Sequence, residues 1–261
     1  MKQLLLLARV SNPQYNEFLY KNHKLYMNPQ LSFDNAYLLK GQVDGSEGAL
    51  SETPVHLFYS TDNRISWNYL TEAKSLRKDN NAYIYCAYAI TYNEEDYDKE
   101  NNRLYYKIPW EYISGVWREG YEMMIIKNTT SFLNTLQKAA ERVNLPCAYG
   151  MIQYDLEKRL QEEDYIGKAT ADPFMSVFHK KEREYSIQNE FRFAVKLPEK
   201  VDHYELQLSS DEEIFVSLFP LKHGRDIIIE LSNLEFDAEL KIPLRFSSNI
   251  IFYESNKDAD N

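Results

Sequence analysis

Apolar residues in this chain come in short runs, broken repeatedly by Asn, Asp, Pro and charged clusters, and this segmentation limits what it can fold into. A core-spanning helix needs an apolar stripe at i, i+3 and i+4 carried through about three turns. Residues 129–143 meet that test, with Phe132, Leu133, Leu136, Ala140 and Val143 on one face and Pro146 closing the segment. The remaining runs are rich in β-branched and aromatic residues. They predict strands at 3–10, 24–27, 55–59, 82–91, 103–108, 121–127, 147–154, 189–197, 204–208, 226–231, 234–236 and 249–253. Shorter helices are expected from the cap Ser11-Asn12-Pro13 to about 22, at 63–78, at 156–163, and from the capping-box signature Ser210-Asp211-Glu212-Glu213 through Phe219. Residues 28–54 read as a long loop and 93–102 as a hairpin loop. The expectation is an α+β domain: mixed, mostly antiparallel twisted sheets of many short strands with a few flanking helices. It occupies residues 1–254, with 255–261 as a disordered tail.

Composition narrows the chemistry. Hydrophobic residues make up 44% of the 261, enough for a sizeable core, and 21 tyrosines supply rings that suit half-buried faces. A net charge of −10 opposes a broad nucleic-acid surface. The local exception is the basic run His179-Lys180-Lys181-Glu182-Arg183, which reads either as a phosphate or nucleic-acid contact or as a solvated loop. No apolar stretch reaches membrane-spanning length, and Arg9 interrupts the N-terminal leucines too early for a secretory signal. A cytoplasmic protein is therefore expected, with Cys86 and Cys147 as reduced core thiols. The five histidines lack metal-ligand spacing, so no metal is expected. Walker, Rossmann and Gly-x-Ser-x-Gly signatures are missing.

Two features carry chemistry. Arg9 lies in an apolar strand beside Leu5 and Leu7, where a half-buried guanidinium calls for an anionic partner. In Gln188-Asn189-Glu190-Phe191-Arg192-Phe193-Ala194-Val195, alternation puts Phe191, Phe193 and Val195 on one face. Gln188, Glu190 and Arg192 then share the other. The competing reading of the last two is an ordinary same-face ion pair.

The stretches 23–27 (His-Lys-Leu-Tyr-Met), 44–48 (Asp-Gly-Ser-Glu-Gly), 121–136 and 174–193 together resemble a family of uncharacterised bacterial and prophage proteins. That resemblance implies a mobile-element or phage-defence setting and no particular activity. An arginine on the first strand, a Ser-Thr step and a late Gln-x-Glu are also distantly similar to the arginine–serine–glutamate ADP-ribosyltransferases. This second resemblance implies a toxin-like effector that consumes NAD as substrate. Glu190 would be the catalytic carboxylate, Gln188 the acceptor contact, and Arg9 the group holding the dinucleotide. Ser60, Thr61, Tyr26 and Arg192 would line the cofactor site. The alternative is a non-enzymatic acidic module, a phage-encoded inhibitor or sensor, that binds another phage or host protein through exposed tyrosines.

Overall fold

The computed structural model describes residues 3–30, 32, 49–51, 55–59, 68–73, 76–77, 81–152, 154, 174–178, 183–209, 214, 216–237 and 243–249. The chain opens with β1 (Leu4–Ser11), α1 (Pro13–Tyr20) and β2 (Lys24–Pro29). There follow β3 (Ala49–Ser51), β4 (Val55–Tyr59), β5 (Asn68–Ala73), β6 (Leu76–Arg77), β7 (Ala82–Thr91), β8 (Tyr97–Asp98) and β9 (Arg103–Ile108). Helix α2 (Trp110–Val116), β10 (Glu122–Ile126), α3 (Thr129–Arg142) and β11 (Cys147–Met151) come next. The last strands are β12 (Glu190–Lys196), β13 (Tyr204–Gln207), β14 (Val216–Pro220), β15 (Ile227–Phe236) and β16 (Pro243–Asn249).

The strand pairings are antiparallel and the architecture is α+β. A large sheet runs β11-β12-β7-β1-β10-β14, with β2 joining β7 and β13 joining β2. A second sheet runs β16-β15-β9-β8. Alternation on β7 gives the large sheet two covered faces. One face presents Tyr83, Tyr85, Ala87 and Ala89, with Phe191, Phe193 and Val195 from β12, and is packed by Phe132, Leu136, Ala139 and Ala140 of α3 and Leu19 of α1. The other face meets the second sheet and α2 through Tyr88, Ile90, Leu104, Ile113, Ile229 and Leu231. A smaller cluster on that second face joins Ala82, Ile84 and Ala194 to Phe174 and Val177, the latter in a 3-10 turn spanning Met175–Phe178.

Local chemistry explains the helices that form. Asn12 caps α1, its side chain accepting from the Gln14 N–H at 3.0 Å with Pro13 in the first turn, and Asn128 caps α3 by accepting from Ser131 N–H at 3.0 Å. Asp226 does the same for α2 from a distance, accepting from Trp110 N–H at 2.7 Å while pairing with Lys107 Nζ at 2.6 Å.

Several expectations need correction, among them the loop at 28–54, which is strand at 28–29 in β2 and at 49–51 in β3. The helix at 63–78 is contradicted at its described residues, 68–73 and 76–77, which form β5 and β6, because Asn68–Ala73 pairs with β4 and strand pairing overrides local helix propensity. The helix through Phe219 gives way to β14, whose period is 2. Val216 and Leu218 pack toward the first core and Phe219 toward the second, against β10. The two strands at 226–231 and 234–236 are one strand, β15, with an irregularity at Asn233, which sits at φ 54°. The terminal strand is Pro243–Asn249. The helix at 156–163, residues 250–253 of the expected strand and the 255–261 tail lie outside the described residues.

Candidate functional site

Between the two apolar clusters on the second face of the large sheet lies a polar seam. Glu190 and Arg192 stand on β12 directly across from Tyr88 and Cys86 of β7. Arg192 is 1% exposed and Glu190 7%. The guanidinium Nε donates to Glu190 Oε1 at 2.7 Å, and Nη1 donates to the Val177 carbonyl at 2.7 Å, which ties the 3-10 turn to the sheet. The Glu190 N–H donates to the Tyr154 hydroxyl at 2.9 Å.

Phenols crowd this ion pair. The Tyr88 and Tyr112 rings lie 4.5 Å apart, and the Tyr106 hydroxyl is 3.4 Å from that of Tyr88. Asn189, held at φ 35°, donates to the Tyr106 hydroxyl at 3.3 Å and to the Ala89 carbonyl. Burial drives the Tyr112 and Tyr154 hydroxyls far above the usual phenol range, and the Glu190 charge adds to it in both cases. Tyr88 is raised in the same way, by burial first and then by Tyr106 and Tyr112. All three therefore stay protonated beside a carboxylate that Arg192 holds in place. Such a set can grip a hydroxyl-rich ligand. It also serves, with no ligand at all, as a clamp joining strand, turn and α2.

Of the sequence-derived site residues that are described, Glu190 and Arg192 meet, while Arg9 and Tyr26 stand apart from them. Arg9 lies opposite Met124 in the β1–β10 register, on the face that also carries Leu7 and Tyr85. Glu190 belongs to the reverse face. A register shift between Leu4 and Leu6 sends both Leu5 and Leu6 to the second core, so Arg9 shares a face with Leu7 and not with Leu5. Gln188 is buried but ends the 3-10 turn Arg183–Gln188, and the left-handed Asn189 breaks the pleat, so Gln188 is not one step back along the Glu190 face. Ser60, Thr61 and the basic residues His179 to Glu182 lie outside the described residues. The sequence reading missed Tyr88, Tyr112 and Tyr154. The first was legible as the cross-strand neighbour of the Glu-x-Arg pair, but the other two reach the seam from separate elements.

Tyr26 occupies a different surface. On β2 its ring stacks on His203 at 4.9 Å and 19°, and the ring of Tyr15 on α1 lies 5.2 Å from it, tilted by 43°. Tyr15 is 43% exposed, and His203 is exposed as well. Cross-strand from Tyr26, Glu205 pairs with Lys24 Nζ at 2.9 Å and lies 3.9 Å from His203 Nε2. The loop bearing His203 is pinned from beneath: the buried Tyr83 hydroxyl accepts from Val201 N–H at 2.6 Å and donates to the Val201 carbonyl. Three rings thus form one continuous, pre-ordered outer surface.

Among the described residues no cluster of three or more His, Cys, Asp or Glu could hold a metal, and no helix is long and apolar enough to cross a membrane. Both cysteines are free thiols, and burial raises Cys147 above its ordinary value. Comparison with known proteins finds no protein-family profile, curated protein or solved structure that matches the chain.

Proposed function

We propose that the chain is a protein-binding module that docks a basic partner on the Tyr15–Tyr26–His203 surface, in the manner of a phage-encoded inhibitor or a phage sensor. The observation that carries this reading is the continuity of those three rings across α1, β2 and the turn before β13, with centroid spacings of 5.2 and 4.9 Å. Tyrosine rings at a surface give large contact area at low entropic cost, and fixing them beforehand lowers the ordering penalty of association. Electron-rich ring faces attract Arg and Lys side chains, and a net charge of −10 steers a cationic partner toward the chain. The test is capture of a partner from phage-infected cells, followed by affinity measurement with both proteins purified. Tyr26→Ala should cost about 2 kcal/mol, roughly 30-fold in Kd, with Tm unchanged. Binding should also weaken as salt rises. A purified partner indifferent to both Tyr26→Ala and His203→Ala overturns the assignment.

A second reading, NAD consumption by a toxin-like effector, is favoured by the neutral phenols of Tyr88, Tyr112 and Tyr154 around the Glu190 carboxylate. In it, water replaces nicotinamide at the ribose carbon while Glu190 stabilises the cationic transition state. Nicotinamide release measured on the intact chain decides the matter. Glu190→Gln and Tyr112→Phe should each lower the rate by at least about a hundredfold. No release by wild type, or equal release by folded variants, removes this reading.

A further inference from the structure

We infer that Arg9 and Tyr85 form an oxyanion site, taking a phosphate group of a small ligand, in the fork where β1 and β2 diverge along the edge of β7. The ladder between β1 and β7 runs to Ala8 and Tyr88, and β2 takes up the same edge only at Ile84 and Tyr83. It is interrupted across Tyr85, Cys86 and Ala87, and Arg9 is the first residue of β1 past its end. Beyond that point β1 stays registered with β10 through Met124, Met123 and Glu122. The sheet splits there, on the face opposite the Glu190 seam.

Arg9 is half-buried at this split and its guanidinium lies 4.3 Å from the Tyr85 ring centroid. No carboxylate among the described residues makes an ion pair with it. Glu122, the acidic residue nearest in register on the same face, instead accepts from the Asn16 amide at 3.0 Å, and Asn16 accepts from Ser11 at 2.6 Å. The Tyr85 side chain is 3% exposed; its hydroxyl makes no well-formed hydrogen bond, and the one donor among the described residues close enough to act on its oxygen is Arg9, which leaves the hydroxyl proton unplaced. Burial keeps that hydroxyl protonated, so it is a donor. A guanidinium lying over a ring keeps its N–H edge free for bidentate contact. Two parallel N–H donors and one phenolic donor match the three oxygens of a terminal phosphate better than the two of a carboxylate.

The probe is pyrophosphate, titrated at constant ionic strength against chloride and read by equilibrium dialysis and thermal shift. Saturable binding is expected for the intact chain, weakened about tenfold or more by Arg9→Gln and several-fold by Tyr85→Phe. It should be retained by Lys99→Gln, which removes an exposed cation elsewhere. Should Arg9→Gln fail to fold, Tyr85→Phe decides, because it deletes only an oxygen that makes no well-formed hydrogen bond. Binding that does not saturate, that is equal in all folded variants, or that acetate matches at equal concentration overturns the phosphate site.

Discussion

Truncation of Glu190 to alanine separates a clamp from a surface pair. The carboxylate and guanidinium meet at 2.7 Å with side chains 9% and 1% exposed, so solvent screens the pair little. At an effective dielectric of about 20 the Coulomb attraction at that distance is roughly 6 kcal/mol, and desolvation of the two ions cancels most of it. The pair's net value is therefore small, while loss of one member is costly, about 3–5 kcal/mol, because the desolvation of the other goes uncompensated. Arg192 keeps its bond to the Val177 carbonyl, which places the expectation at the lower end, about 3 kcal/mol. In a chain of this size that corresponds to a fall in Tm of roughly 6–12 °C. Urea titration monitored by far-UV circular dichroism gives the free energy. The double variant Glu190→Gln with Arg192→Met should lose less than the sum of its single changes, by at least about 1 kcal/mol. A Glu190→Ala chain within about 0.5 kcal/mol of wild type would show that the pair is not clamped as described.

Further expectations follow from the same geometry. Tyr85, Tyr88, Tyr112 and Tyr154 have folded pKa values above the unfolded phenol value, so the unfolded chain releases these protons first. Their contribution is complete below about pH 10 and is lost as pH rises beyond it, so alkaline unfolding should coincide with a late step in phenolate absorbance. Gradual ionisation of every tyrosine near pH 10 in a still-folded chain would contradict this. Asn16→Leu, at 0% exposure, strands the Ser11 hydroxyl and the Glu122 carboxylate it links, and should cost about 1–3 kcal/mol by denaturant titration. Asn128→Ala removes the cap of α3 and should cost about 1 kcal/mol, whereas Asn128→Ser should be nearly silent.

The large sheet was legible wherever a strand was buried on both faces. Ala82–Thr91, Glu122–Ile126 and Glu190–Lys196 read as unbroken apolar or alternating runs, and α3 carried its stripe at helical spacing. Edge and hairpin strands were harder. Val216–Pro220 followed a strong helix-start signature, and nothing local says that Met123 and Met124 wait across the ladder to pair with it. Asn68–Ala73 was lost for the same reason, its partner being the separate strand Val55–Tyr59.

For the candidate site, the period-2 rule worked on β12 and failed one residue outside it. It sorted Glu190 and Arg192 from Phe191 and Phe193 correctly, because those residues are all strand. It failed for Gln188, where Asn189 turns left-handed, and for Leu5, where an extra residue in β1 reverses the parity. The slip at Leu5 moves a side chain through the sheet, the largest error a one-residue shift can cause. This is why Arg9 and Glu190 resembled one constellation in sequence and stand on opposite faces in the fold. Each has since to be accounted for by its own neighbours: Glu190 by a guanidinium already against it, Arg9 by a phenol beneath it and by no carboxylate among the described residues. The two positions therefore make separable demands. A change at Glu190 should register first in stability, and a change at Arg9 in affinity for an anion.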